Sequence, residues 1–135
     1  MISKDLVAKT QKALAKFSAV QAVYLYGSYA EERANKYSDL DLGVLLDDGY
    51  NQMVKLDILT SLSNKNFTNV DLVILNQAPP LLRYEIVKNN QLIYARDDFD
   101  AAGYFSLVIR KYFDFRPYLE IHRKYLKERI LNGQN

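Results

Sequence analysis

Gly27-Ser28 is followed by ten residues and then by Asp39-Leu40-Asp41. Asp39 to Leu46 alternates as a strand does, so Asp39 and Asp41 point to one face with Gly43 and Leu45. Asp71 belongs to another short apolar run, Val70 to Leu75, whose alternation sets it with Val73 and Leu75. Three carboxylates brought together repel one another unless a counter-charge sits among them. Hard oxygen donors suit Mg²⁺, with Mn²⁺ as the alternative, and Mg²⁺ commonly takes carboxylates together with substrate phosphates. Two such ions can stabilise the attacking and leaving oxygens of an in-line displacement at phosphorus. Gly27 and Ser28 would serve the phosphates. Glycine allows a sharp turn and a close backbone approach, and N–H groups opening the next helix, with the Ser28 hydroxyl, donate to oxyanions. Alone, each fragment is more often a solvated face or a plain turn. Together with Asp71 they point to metal-dependent chemistry on a nucleoside triphosphate. The candidate catalytic and metal-binding residues are Asp39, Asp41 and Asp71, and the candidate nucleotide-binding residues are Gly27 and Ser28.

The elements that must position them follow from periodicity. Leu6, Ala13, Leu14 and Phe17 recur at helical spacing, which predicts a helix over 3–18, capped by Ser3. Val20 to Tyr26 is a short apolar strand ended by Gly27-Ser28, and Tyr29 to Lys36 a short helix or irregular turn. The Asp39–Leu46 strand closes at Asp47-Asp48-Gly49, and a helix over 50–64 follows. After the Val70–Leu75 strand, Pro79-Pro80 opens a helix to about Lys88. Gln91 to Tyr94 is a short strand, and Asp98 to Ile130 is helical, with Pro117 expected to kink or divide it near Phe115. The alternating order of helices and strands predicts an α/β (α+β) fold: a mixed sheet of about four strands packed against helices, with a C-terminal helical segment.

The 135 residues fit one domain over 1–135. A net charge of +2 is too balanced to argue for nucleic-acid binding, and the absence of cysteine excludes disulfides and thiolate metal sites. Neither a signal peptide nor a membrane-spanning run is evident, so a soluble, cytoplasmic protein is expected.

Gly27, Ser28, Ala30, Ala34, Ser38, Asp39, Leu40, Asp41 and Leu42, then Asp71, resemble the minimal nucleotidyltransferase family of the DNA polymerase β-like superfamily. The stretch from Asp71 to Leu82, and Lys111 to Tyr118, are similar to its MntA antitoxin subgroup, which pairs with HEPN-domain ribonuclease toxins. The resemblance implies transfer of AMP from ATP to a hydroxyl, a tyrosine of the toxin, with release of pyrophosphate and loss of toxin activity. Carried over, it implies that Asp39 and Asp41 bind the metals. Asp71 would bind one metal and help deprotonate the hydroxyl, and Gly27 and Ser28 would hold the triphosphate. Members often carry Arg-Gly where this chain has Glu31-Glu32, which sets two acids near a triphosphate. The rival readings are a small-molecule, aminoglycoside-type nucleotidyltransferase and an antitoxin acting by contact alone.

His122 is the lone histidine, and its spacing from Arg116 superficially matches the HEPN ribonuclease motif. Pro117 and the strand-rich chain before it argue instead for a surface or packing histidine. The aromatic C-terminal segment, residues 97–131, divides about evenly between packing on the sheet and forming a partner surface. Arg83 and Arg96 could reach a phosphate, but surface roles suit them better.

Overall fold

A computed structural model describes residues 4–27, 40–64 and 69–131. The Ser3 cap, the Tyr29–Lys36 element, Ser28, Glu31, Glu32 and Asp39 lie outside the described residues. The described elements, in chain order, are α1 (Lys4–Ala15), β1 (Val20–Tyr26), β2 (Leu40–Leu46), α2 (Val54–Ser63), β3 (Val70–Ile74), a 3₁₀ turn (Leu75–Gln77), α3 (Pro80–Val87), β4 (Leu92–Ala95) and α4 (Ala101–Leu131). They agree with the periodicity to within a few residues at each end.

The strands form one four-stranded sheet in the order β3-β2-β1-β4. β1 pairs antiparallel with β2 and β4, whereas β2 and β3 run parallel, so the sheet is mixed as expected. Alternation then divides the side chains between two apolar layers. Val23, Leu25, Leu42, Val44, Leu72 and Ile74 face Leu14, Ile58 and Leu62 of α1 and α2. Ala22, Tyr24 and Val73 face Ile86, Val87 and Val108 of α3 and α4. This three-layer arrangement buries most of the sheet on both sides, which is why the strands read as nearly continuous apolar runs.

Two local devices hold the second layer in place. A Cβ at Gly43 would come within 2.5 Å of Ile86 Cγ2, so the missing side chain lets α3 lie directly on β2. Beyond β3, the Asn76 side chain accepts from Leu46 N–H at 2.9 Å and donates to Leu46 C=O at 2.8 Å, completing the β2 end as a strand would.

α4 excludes one of the two outcomes expected of Pro117. Pro117 lies inside the helix and does not divide it. Proline removes the bond that would reach Phe113 C=O, but Phe113 is exposed, so water can serve that carbonyl. The aromatic residues separate along the helix rather than between faces. Tyr104 and Phe105 join the layer against the sheet, and Tyr112 stacks on Tyr84 with ring centroids 3.9 Å apart. Past Tyr112 the helix leaves most of its large apolar residues exposed, Phe113, Tyr118, Ile121, Tyr125 and Leu126 among them. At 31 residues the helix is about 46 Å long. No described helix is long and apolar enough to cross a membrane.

Candidate active site

Tyr26 ends β1, Asp41 is the second residue of β2, and Asp71 is the second residue of β3. The register pairs Tyr26 with Asp41 and Asp41 with Asp71, so the three form one row across adjacent strands. Neighbouring strands lie about 4.8 Å apart, which fixes the two carboxylates as close neighbours on one face. That face is the one covered further along by α3 and α4; the row itself lies toward the rim, with Asp41 half-buried and Asp71 exposed.

Gly27 closes this end. Its φ of +69° is left-handed, a conformation that favours glycine. A Cβ here would stand 2.2 Å from Asp41 Oδ2, so the bare backbone packs directly on the carboxylate. The glycine therefore does two things at once: it turns the chain off β1 and keeps the space beside Asp41 small.

Tyr26 is a member of the site that the sequence reading missed. Its hydroxyl donates to Asp71 Oδ2 at 3.3 Å. Burial, followed by the charges of Asp71 and Asp41 and the bond to Asp71, raises its pKa well above the ordinary tyrosine value. The side chain thus stays a neutral donor at any physiological pH. The signal was available: alternation along Val20–Tyr26 sets Tyr26 on the face of Ala22 and Tyr24, immediately before the glycine turn.

The donor set suits a hard divalent cation. It offers carboxylate oxygens on adjacent strands, and Asp71 makes no ion pair among the described residues. Among those residues no group of three or more acidic, histidine or cysteine side chains forms a metal centre. The third expected carboxylate, Asp39, and the expected phosphate donor Ser28 both lie outside them. The structure therefore brings together Gly27, Asp41 and Asp71 from the predicted set.

The other candidates fall elsewhere. Arg96 is at the opposite end of the sheet, bound to Asp47 and Asp98. Arg83 donates to Ala78 C=O at 2.9 Å, under α3, and His122 is exposed on α4.

A strand–glycine turn against a strand-borne aspartate, with another aspartate on the parallel neighbour, defines a nucleotidyl-transfer type of site. The family model "Polymerase beta, Nucleotidyltransferase" matches residues 8–99, and the chain belongs to that family. It is similar to a candidate protein adenylyltransferase of Methanocaldococcus jannaschii, 33% identical over 88 residues, which are 65% of this chain and 66% of that protein. It is also similar to the protein adenylyltransferase MntA of Shewanella oneidensis, 27% identical over 81 residues, 60% of this chain and 58% of that protein. The matched stretches thus span less than two thirds of either relative's length. Among solved structures, a toxin–antitoxin with AMP-PNP superposes with a TM-score of 0.72 at 22% identity, covering 93% of this chain and 98% of the other. The complex of tri-AMPylated Shewanella oneidensis HEPN toxin with MNT antitoxin gives a TM-score of 0.68 at 21% identity, covering 96% and 99%. At such identities the superpositions establish the shared fold.

Proposed function

We propose that the protein is an antitoxin adenylyltransferase, transferring AMP from ATP to a tyrosine hydroxyl of a cognate HEPN-domain ribonuclease toxin. The observation that carries this reading is the row of Asp41 and Asp71 with the Gly27 backbone packed on Asp41, on a polymerase β-type sheet. Similarity to a protein adenylyltransferase called MntA supports a protein acceptor, and the fold shared with an MNT antitoxin in complex with a tri-AMPylated HEPN toxin supports the toxin as that protein.

In this reading Asp39 and Asp41 hold divalent metal, Asp71 adds a ligand, and two Mg²⁺ ions are expected, with Mn²⁺ able to replace them. The metal, when bound, neutralises phosphate charge and favours displacement at the α-phosphorus. Gly27 lets the triphosphate approach the backbone at the end of β1, and Ser28 donates to a phosphate oxygen. Asp71 faces the incoming hydroxyl and accepts its proton. The tyrosine oxygen forms a bond to the α-phosphorus, the bond to the β-phosphate bridging oxygen breaks, and pyrophosphate leaves. Tyr26 keeps the Asp71 carboxylate turned toward the row by its hydrogen bond. The exposed apolar half of α4, from Phe113 to Leu126, is offered as surface for the toxin.

The test incubates the protein and toxin with Mg²⁺ and ATP labelled at the α-phosphate, with gel and mass analysis of the toxin. Label on a toxin tyrosine, lost with Asp41→Asn, is the expected result. Neutralisation of the toxin without any label would establish an antitoxin acting by contact alone.

A further inference from the structure

β3 is an edge strand: β2 covers one side of it, and no described strand pairs with the other. Along that outer side runs a cleft of about 280 Å³, lined by four successive residues from Asp71 to Ile74. Lining by successive residues, rather than alternate ones, means that the cleft looks onto the strand's edge and not onto one of its faces. Its remaining walls come from Lys55 at the start of α2 and from Gln77, Ala78, Pro79 and Leu82, where the 3₁₀ turn leads into α3. Asp71 therefore borders two spaces. On one side stand Asp41 and Tyr26; on the other is this cleft.

We infer that the cleft is the docking site for an extended, tyrosine-bearing segment of the acceptor protein, selected by Lys55 and Leu82. This rests on the reading above, in which Asp71 meets the incoming hydroxyl. Three features favour a peptide segment over a nucleotide. The volume lies just below the roughly 300–1,000 Å³ of sites that enclose small ligands, so it holds a side chain and its backbone rather than a whole nucleoside triphosphate. An unpaired strand edge offers main-chain donors and acceptors, the means by which extended segments are held against sheets. The side walls are apolar at Pro79 and at Leu82, which is 37% exposed, and they suit the body of an aromatic ring whose hydroxyl reaches Asp71.

Lys55 sets the charge of the segment. It is exposed, lines the cleft and makes no ion pair among the described residues. A segment with an acidic side chain near its tyrosine is attracted there, and a basic one is repelled. Gln77, held by the Tyr50 hydroxyl, stiffens the wall beside it.

The experiment compares wild type, Lys55→Glu, Lys55→Arg and Leu82→Asp as full chains. Two quantities are measured: kcat and KM for labelling of the cognate HEPN-domain toxin with α-labelled ATP, and AMP-PNP affinity by calorimetry. Lys55→Glu and Leu82→Asp should each raise KM for the toxin about tenfold, leaving AMP-PNP affinity unchanged, with Lys55→Arg near wild type. Both side chains are exposed, so the fold is retained, as circular dichroism will verify. Unchanged KM in both variants, with wild type labelling the toxin, overturns the cleft assignment and leaves the adenylyltransferase reading standing. Failure of wild type to label any toxin while it still binds AMP-PNP overturns that reading, and the cleft assignment with it.

Discussion

At one end of the sheet Arg96 lies between Asp47 and Asp98; at the other, Asp41 and Asp71 stand side by side across β2 and β3. Both ends gather aspartates from elements distant in sequence, but Asp47 and Asp98 share a cation, whereas Asp71 has none among the described residues. Arg96 gives Asp47 two bonds, at 2.8 and 2.7 Å, gives Asp98 two more, and donates to Ser18 C=O. It thereby ties together the entry to β1, the end of β2 and the exit from β4. The hydrogen bonds from Arg96 hold both carboxyls below the ordinary range, and those same bonds raise the guanidinium's own pKa. At the Asp41–Asp71 end the described partner of Asp71 is a neutral hydroxyl, Tyr26. A carboxylate pair supplied with a fixed arginine is a clasp. The same residue type beside a neutral donor keeps its appetite for an external cation.

Four substitutions would break or sharpen this contrast. The largest effect is expected from exchanging charge for amide at each end. Asp71→Asn should reduce AMP transfer by about 10²–10³-fold or more, with thermal stability unchanged or slightly raised because a like-charge contact is relieved. Asp47→Asn should do the reverse, lowering the melting temperature while transfer proceeds at the wild-type rate. Parallel melting curves and labelling assays on both variants decide the matter; a large loss of transfer in Asp47→Asn would erase the distinction between the ends.

An intermediate effect is expected at the turn. Gly27→Ala places a methyl group where Asp41 Oδ2 now lies, in a left-handed conformation. The backbone strain costs about 1–2 kcal/mol, readable by denaturant unfolding. Displacement of Asp41 should cut transfer about tenfold or more, and the loss in rate should exceed what the lost stability explains.

The smallest effect concerns acid. A carboxyl with a depressed folded pKa stabilises the fold above its unfolded value, near 4, and loses that contribution as pH falls through the folded value. Arg96→Met should therefore lower the melting temperature by a few degrees at pH 7, and the gap from wild type should begin to narrow only as pH falls below about 4. Both groups are exposed, so the effect is modest. A gap that stays the same size at pH 7 and at the lowest pH where both proteins still fold would mean that Arg96 acts by packing its stem rather than by charge.

The amino-acid sequence by itself determined the order of the described helices and strands, the mixed sheet, and the face on which Asp41 and Asp71 lie. Strand periodicity is a local property: Leu40, Leu42, Val44 and Leu46 must enter one apolar layer, which forces Asp41 to the other side. The sequence also marked Gly27 as a turn beside that strand. It did not reveal that the Gly27 backbone touches Asp41, that Tyr26 binds Asp71, or that Arg96 joins Asp47 across 49 positions. Those contacts depend on strand order and register, which are settled by packing between distant segments and leave no periodic trace in any one of them. α4 shows the same limit. Its pattern gave a helix and its aromatic residues gave an ambiguous surface, but only the placement of α3, whose Tyr84 stacks on Tyr112, decided that Tyr112 packs while its neighbour Phe113 stays exposed. A helix longer than the layer it covers must expose its remainder, whatever its composition.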